Sequence, residues 1–316
     1  MSFSGKSLLR IQDLDIDKVM LLFDKARALK AEFKRSKTFG RKLHLSLESQ
    51  QKLLAMVFLE PSTRTRMSFQ AAAARLGFRV VSFDCSSASS MEKGENEIDT
   101  LKNVSALLPD LMVVRYGESK QVGDLLPKLN CPVINAGSGM DEHPSQALLD
   151  AFTMLEAKGS LVGQRLLMVG DIRHSRVAHS NLRLLGPLGV QLGICGPSEL
   201  LPPLEGEWKN VERFEDLQSG ISWCQILMGL RIQKERHLAA GSGRDLVSYQ
   251  GQFRIEPSHL SKWTQNGIIL HPGPVIRGVE FAEEILHDPR SLVIEQVTNG
   301  LFVRAALYSL ILGLEV

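Results

Sequence analysis

Two series of short runs, apolar at nearly every position, recur along this chain of 316 residues. A strand with one face in water alternates apolar and polar residues, whereas a strand of a parallel sheet is covered by helices on both faces and is apolar throughout. The runs fall at residues 53–59, 79–83, 111–114 and 132–135, and then at residues 166–171, 190–194, 226–228 and 268–270. We therefore predict an α/β fold of two consecutive domains, each with a parallel sheet flanked by helices.

The segments between and after these series suggest where the domains meet. Residues 145–158 have helical apolar spacing, and Pro144 suits a first helical turn, so we expect a helix that connects the domains. Residues 299–314 are apolar enough for a closing helix that packs back on the first domain. We place the first domain at residues 1–152, completed by residues 296–316, and the second at residues 153–295.

Composition narrows the classes of function. A net charge of +2, without a basic patch, disfavours a nucleic-acid or membrane-surface partner. No apolar stretch is long enough to span a membrane, and residues 1–6 lack the apolar core of a secretory signal, so we expect a cytoplasmic protein. The four cysteines form no metal or disulfide pattern, and the histidines have no ligand spacing, so we expect no metal.

The segment Pro61-Ser62-Thr63-Arg64-Thr65-Arg66 lies between an apolar run and a helix-forming stretch. Hydroxyl groups, guanidinium groups and the N–H groups of a first helical turn would meet there, which suits a phosphate dianion. The alternative is an ordinary helix start, with Ser62 as a cap and both arginines in solvent.

Polar residues follow several other predicted strands. In open parallel sheets, ligands bind beyond the carboxyl ends of the strands. These residues include Arg115, His143, Gln146, Arg173, Arg176, Arg231, Gln233 and the turn at residues 271–274. Together they predict a substrate with phosphate and carboxylate groups held between two domains, although a single arginine at a strand end is more often a surface residue.

The loop at residues 86–96 places Lys93 among hydroxyl side chains. It is either a solvated connection or a mobile segment whose lysine closes over phosphate. The glycine patterns of nucleotide and dinucleotide sites are absent, as is the Gly-x-Ser-x-Gly turn of serine hydrolases.

Several of these segments together resemble the transcarbamylases, which transfer a carbamoyl group from carbamoyl phosphate to an amine. Residues 58–66, 143–150 and the Lys93 loop carry the general likeness, and residues 168–178, 230–236 and 271–280 resemble the aspartate branch. The likeness runs nearly end to end, with the motifs in the right order.

The resemblance implies a role for each matching residue. Carbamoyl phosphate would contact Ser62, Thr63, Arg64, Thr65, Ser89, Lys93, Arg115, His143, Gln146, Pro272 and Gly273, of which Arg64, Thr65, Arg115 and His143 would be catalytic. L-Aspartate would contact Lys93, Arg176, Arg231 and Gln233.

The resemblance also implies transfer without a cofactor, and a homotrimer in which Ser89 and Lys93 enter the active site of a neighbouring subunit. A larger assembly with a regulatory or dihydroorotase-like chain is left open. The chain departs from the family pattern at Gln70, where glutamate is usual, and at Val275 and Ile276, where methionine and asparagine are frequent. The second departure puts in doubt the hydrogen bonding of the loop beside the carbamoyl amide.

Two alternatives remain. Ornithine transcarbamylase shares the phosphate half, but its usual His-Cys-Leu-Pro loop is replaced by residues 271–274. A catalytically silent homologue would serve as an assembly subunit, and we would expect it to have lost some of a set of five residues that are all present here, namely Arg64, Lys93, Arg115, His143 and Arg231.

Overall fold

The computed structural model describes residues 3–37, 51–84, 96–232, 246–261 and 263–314. The chain forms two compact units, one of Met1–Leu149 with Val297–Val316 and one of Asp150–Gln296. Both crossings between the units fall inside helices, namely Pro144–Lys158 and Val293–Ile311.

The first unit contains one parallel sheet with the order β2-β1-β3-β4. Its elements in chain order are α1 (Ile16–Ser36), β1 (Leu53–Phe58), α2 (Thr63–Arg75), β2 (Arg79–Asp84), α3 (Glu97–Ser105), β3 (Leu111–Tyr116), α4 (Lys120–Leu125), β4 (Val133–Ser138) and α5 (Pro144–Lys158). Asp15 and Asn96 cap α1 and α3 through their side chains. A segment at Leu8 pairs with Ile134 beside β4.

Apolar side chains on both faces of this sheet explain why the strands could be found from their apolar runs. Nearly all of β1 and β3 is buried, and one cluster joins Val57, Val114 and Val133 with Leu101 from α3. Burial of this kind stabilises a strand by roughly 1.5–3 kcal/mol for each large apolar side chain.

The closing helix packs on the first unit, as predicted. It begins at Val293 rather than at residue 299, and we number it α10 (Val293–Ile311) after the helices of the second unit. The hydroxyl of Tyr308 donates to the Phe69 carbonyl oxygen at 3.2 Å, and Arg304 donates to the Ser68 hydroxyl at 2.8 Å, so this helix holds α2 in place.

The second unit contains a five-stranded parallel sheet with the order β7-β6-β5-β8-β9. Its elements are β5 (Arg165–Val169), α6 (Arg176–Leu185), β6 (Gln191–Cys195), β7 (Glu212–Phe214), α7 (Leu217–Trp223), β8 (Ile226–Gly229), α8 (Leu246–Phe253), α9 (Pro257–Leu260) and β9 (Ile268–Leu270). Strand β7 was not predicted, because a three-residue edge strand that includes Glu212 and Arg213 gives no apolar run.

The α/β prediction is therefore confirmed in both units. Among the helices of the described ranges, none combines the length and the apolarity that crossing a bilayer requires.

Candidate active site

The carboxyl ends of neighbouring strands bring the predicted residues of the first unit to one edge of its sheet. Strands β1, β3 and β4 are adjacent and parallel, and Phe58 at the end of β1 lies opposite Arg115 in β3. The segments after β1 and β4, which contain Ser62 and His143, therefore leave the sheet at the same edge as Arg115.

The first turn of α2 has no side-chain cap. Ser62 occupies the N-cap position with an extended backbone, but its hydroxyl makes no capping hydrogen bond. The alternative in which Ser62 simply caps the helix is therefore not realised. A helix start with N–H groups, hydroxyls and a positive dipole end is well suited to an anion.

Arg115 is nearly buried, at 7% exposed, and has polar partners on both sides. One guanidinium nitrogen lies 2.9 Å from a carboxylate oxygen of Glu60, and another donates to the Ala136 carbonyl oxygen at 3.4 Å. Because Glu60 is two residues before Ser62, this ion pair holds Arg115 beside the start of α2.

A braced turn places His143 at the start of α5. The Asn135 side chain donates to the Leu9 carbonyl oxygen at 2.9 Å and accepts from the Gly137 N–H at 2.8 Å, which fixes the end of β4. The N–H of Gln146 then donates to the His143 carbonyl oxygen at 3.0 Å. Both His143 and Gln146 are buried, so their side chains are held in defined positions rather than in bulk solvent.

In the second unit, the loop after β5 prepares the position of Arg176. The buried carboxylate of Asp171 accepts from the ring nitrogen Nδ1 of His174 at 2.8 Å and from its backbone N–H at 3.2 Å. Ser175 caps α6 by accepting from the Ala178 N–H at 3.3 Å. Arg176 is the first residue of α6 and is half-buried.

A single buried carboxylate connects the loops that follow β8 and β9. Glu280 accepts from the N–H of Ile232, next to Arg231, at 3.1 Å and from the N–H of Ile276 at 2.7 Å. Burial raises the pKa of Glu280, while these two hydrogen bonds and the charge of Arg231 oppose the shift.

Comparison with known proteins identifies relatives that match this chain over nearly its full length. Residues 6–156 match the carbamoyl-phosphate-binding domain, and residues 162–311 the aspartate/ornithine-binding domain, of the aspartate/ornithine carbamoyltransferases. The chain belongs to this family. The chain is 40% identical over 312 residues to the aspartate carbamoyltransferase catalytic subunit of Opitutus terrae. The aligned residues cover 98% of this chain and 96% of that protein. It is also 40% identical to the subunit of the same name from Pelagibacter ubique, with 96% and 94% covered.

Solved structures of carbamoyltransferases share this fold. An aspartate transcarbamoylase from Trypanosoma cruzi in complex with N-(phosphonacetyl)-L-aspartic acid has a TM-score of 0.84 and 28% identity, with 98% of this chain and 97% of that chain covered. An ornithine carbamoyltransferase from Pyrococcus furiosus has a TM-score of 0.85 and 26% identity, with 99% of each chain covered. The carbamoyltransferase fold thus does not by itself separate the aspartate branch from the ornithine branch.

The structure places most, but not all, of the predicted site residues. Ser62, Thr63, Arg64, Thr65 and Arg115 gather at the sheet edge of the first unit, with His143 and Gln146 at the start of α5. Arg176, Arg231, Pro272 and Gly273 follow the adjacent strands β5, β8 and β9. Ser89, Lys93 and Gln233 lie outside the described residues. Within the described ranges, no group of three or more His, Cys, Asp or Glu side chains is arranged to hold a metal ion.

Sequence reasoning missed three acidic side chains that support these carbamoyltransferase motifs. Glu60, Asp150 and Glu280 each stand at or near the end of a recognised motif, but no role was assigned to them. Their position within a motif was the available signal, and Asp150 and Glu280 are also buried, where carboxylates are rare unless they are paired or hydrogen-bonded.

The two departures from the family pattern have local explanations. Gln70 donates to the Ser82 hydroxyl at 3.1 Å, and so joins α2 to β2. Val275 and Ile276 are half-buried and pack against the apolar cluster of the second unit, while the Ile276 N–H keeps its bond to Glu280. That bond uses only the backbone, so it does not depend on an asparagine at this position.

Proposed function

We propose that this protein transfers the carbamoyl group from carbamoyl phosphate to the α-amine of L-aspartate, which gives N-carbamoyl-L-aspartate and phosphate. The observation that carries the proposal is the uncapped start of α2 with Arg115 held beside it by Glu60. The names of the curated relatives support L-aspartate as the acceptor.

In this proposal, the first unit binds the phosphate and the carbonyl. Ser62, Thr63, Arg64 and Thr65 offer backbone and side-chain donors to phosphate, and Arg115 adds a nearly buried positive charge. His143, Arg115 and Thr65 donate to the carbamoyl oxygen, and Gln146 accepts from the carbamoyl amide. Ser89 and Lys93, which we place in the site of a neighbouring subunit, complete the phosphate contacts.

The second unit supplies the acceptor side of the proposed reaction. Arg176 and Arg231 bind the two carboxylates of L-aspartate, since a planar guanidinium group can donate two parallel hydrogen bonds to one carboxylate. Gln233 and Lys93 assist them. The backbone carbonyl oxygens at Pro272 and Gly273 accept from the carbamoyl NH2 group.

The proposed chemistry depends on positioning and electrostatics. The uncharged α-amine attacks the carbamoyl carbon, a C–N bond forms and the bond from that carbon to the phosphate oxygen breaks. The amine nitrogen loses one proton, and the departing phosphate takes up one proton to leave as hydrogen phosphate. Negative charge grows on the carbonyl oxygen and on the departing phosphate, where preorganised donors stabilise it. None of these steps requires a cofactor.

We also propose a cytoplasmic homotrimer with shared active sites. Among the residues that the structure describes, Cys131, Cys195 and Cys224 are free thiols, which supports a reducing compartment. A larger assembly with a regulatory or dihydroorotase-like chain would be compatible with the name "catalytic subunit" that the relatives carry.

A colorimetric assay for carbamoylated product tests the proposal directly. The isolated chain is incubated with carbamoyl phosphate and either L-aspartate or L-ornithine. We expect product with L-aspartate alone. Product with ornithine only would assign the protein to the other branch of the family, and silence with both until a partner chain is added would identify an assembly subunit.

A further inference from the structure

The loop after β9 begins with a backbone N–H that is bonded to a side chain. The N–H of His271 donates to Oε1 of Gln296 at 2.8 Å. Inside the loop, the N–H of Gly273 donates to ring nitrogen Nδ1 of His271 at 2.9 Å. The position of Gln296 therefore helps to set where the backbone at Pro272 and Gly273 lies.

The Gln296 amide has a defined orientation. Its NH2 group donates to a carboxylate oxygen of Asp150 at 2.8 Å, while its oxygen accepts from His271. Rotating the amide by half a turn would place its NH2 against an N–H and its oxygen against a carboxylate. Gln296 is 2% exposed, so bulk water cannot substitute for either bond.

Asp150 is the acceptor that the two amide side chains of this arrangement share. It is fully buried, and its second oxygen accepts from the NH2 group of Asn181 in α6 at 3.1 Å. Asn181 is also fully buried. The Asp150 carboxylate thus accepts from two amide NH2 groups, and the oxygen of the Gln296 amide accepts from a backbone N–H, so the donor and the acceptor of each bond are fixed.

We propose that Asp150, Asn181 and Gln296 form an amide clamp, a set of positioning residues that aim the carbonyl oxygens of Pro272 and Gly273 at the NH2 group of carbamoyl phosphate. The inference rests on the proposed function. In the clamp, none of the three side chains touches the substrate. Their effect is to let the site distinguish carbamoyl phosphate from inorganic phosphate, which lacks the amide.

Calorimetric titration with carbamoyl phosphate and with inorganic phosphate measures this discrimination. In Asp150→Asn, the new side chain has one oxygen for two donors, so one NH2 group must face another NH2 group. We expect the preference for carbamoyl phosphate over phosphate to fall by about tenfold, the value of one hydrogen bond, while phosphate affinity stays within about twofold.

A reciprocal exchange provides the rescue. In the double variant Asp150→Asn with Asn181→Asp, the amide at position 150 still accepts from Gln296 and now donates to the carboxylate at position 181, so both bonds are restored and only the bond between positions 150 and 181 is reversed. We expect the preference to recover. Gln296→Met, which keeps the volume and removes both bonds, should lose the preference, whereas the exposed Gln218→Met should retain it.

The outcomes separate this inference from the proposed function. If the wild-type protein binds carbamoyl phosphate no more tightly than phosphate, the clamp is overturned, whereas the proposed function is overturned only by the absence of carbamoyl aspartate formation. If the wild-type protein shows the preference and Asp150→Asn and Gln296→Met keep it, the clamp alone is overturned. A preference lost in Asp150→Asn and not regained in the double variant also contradicts the clamp, because the hydrogen bonds would then not be its cause.

Discussion

At the scale of single residues, the candidate site depends on donors that the protein's own contacts hold in place. Arg115 is held by Glu60, and Arg64 stands in the first turn of α2. We predict that Arg64→Ala or Arg115→Ala lowers kcat by roughly 100- to 1000-fold, because removing one preorganised donor typically has that cost. Steady-state assays of carbamoyl aspartate formation measure it. Near-normal turnover by Arg64→Ala would contradict the assigned role.

His143 should behave differently from the arginines. It is proposed to contact the carbonyl oxygen rather than the phosphate, so His143→Ala should lower kcat while much of the carbamoyl phosphate affinity remains. Titration of the variant with carbamoyl phosphate provides the comparison. A loss of affinity as large as the loss of kcat would place His143 among the ground-state binding groups instead.

Two buried tyrosines give a matched test of hydrogen bonding in the core. Within the described residues, the hydroxyl of Tyr249 has no partner, whereas that of Tyr308 donates to the Phe69 carbonyl oxygen. Tyr249→Phe should raise the free energy of unfolding by about 1 kcal/mol, and Tyr308→Phe should lower it by about 1 kcal/mol. Urea denaturation measures both. A stability loss in Tyr249→Phe would show that its hydroxyl is satisfied.

Glu280 should make stability depend on pH. Its folded-state pKa is raised above its ordinary value of 4.5, so its contribution to stability is fully present below pH 4.5 and is lost as pH rises through the raised pKa. Relative to wild type, Glu280→Gln should therefore gain stability as pH increases above 4.5. The exposed Glu284→Gln is the matched control, and denaturation at a series of pH values gives the slopes. Equal slopes in wild type and Glu280→Gln would contradict the prediction.

At the scale of elements, the backbone segments that follow β5 and β8 in the second unit are closely packed against each other. Gly170, directly after β5, has a φ of +130°, and a Cβ there would lie 2.5 Å from the Leu230 carbonyl oxygen. Leu230 precedes Arg231, which we propose binds L-aspartate. Gly170→Ala should therefore displace Arg231 and lower kcat/KM for L-aspartate by about tenfold or more.

Gly163→Ala provides the control for that substitution. Its φ of +76° makes alanine strained there as well, but nothing lies within 4 Å of a Cβ at this position. It should lose stability and keep its KM for aspartate. If both variants change KM alike, backbone strain rather than the close approach to Leu230 would be responsible.

Elements were predictable where a local pattern decides them. The run at residues 268–270 coincides with β9, and the helix predicted over residues 145–158 is α5. The other seven predicted strand runs differ from the structure only at their ends. Strand β7 could not be predicted in this way, because its pairing with β6 decides its conformation, and its own residues carry no signal.

At the scale of the whole molecule, the proposed trimer predicts complementation. If Lys93 enters the site of a neighbour, a trimer mixed from Lys93→Ala and Arg64→Ala chains contains some sites with neither lesion. Joint refolding of the two inactive variants should then restore part of the activity, measured per trimer after gel filtration. Mixed trimers that remain inactive would rule out shared sites.

The sequence by itself determined the fold class and the motif proposed to bind phosphate, because continuous apolar runs and a hydroxyl- and arginine-rich helix start are local properties of the chain. Tertiary structure alone decided what holds those motifs. Glu60, just after β1, pairs with Arg115 in the adjacent strand β3, and Asp150 pairs with Gln296 from far along the chain. Such pairings form only once the units are folded, since burial is what makes each polar group require a specific partner.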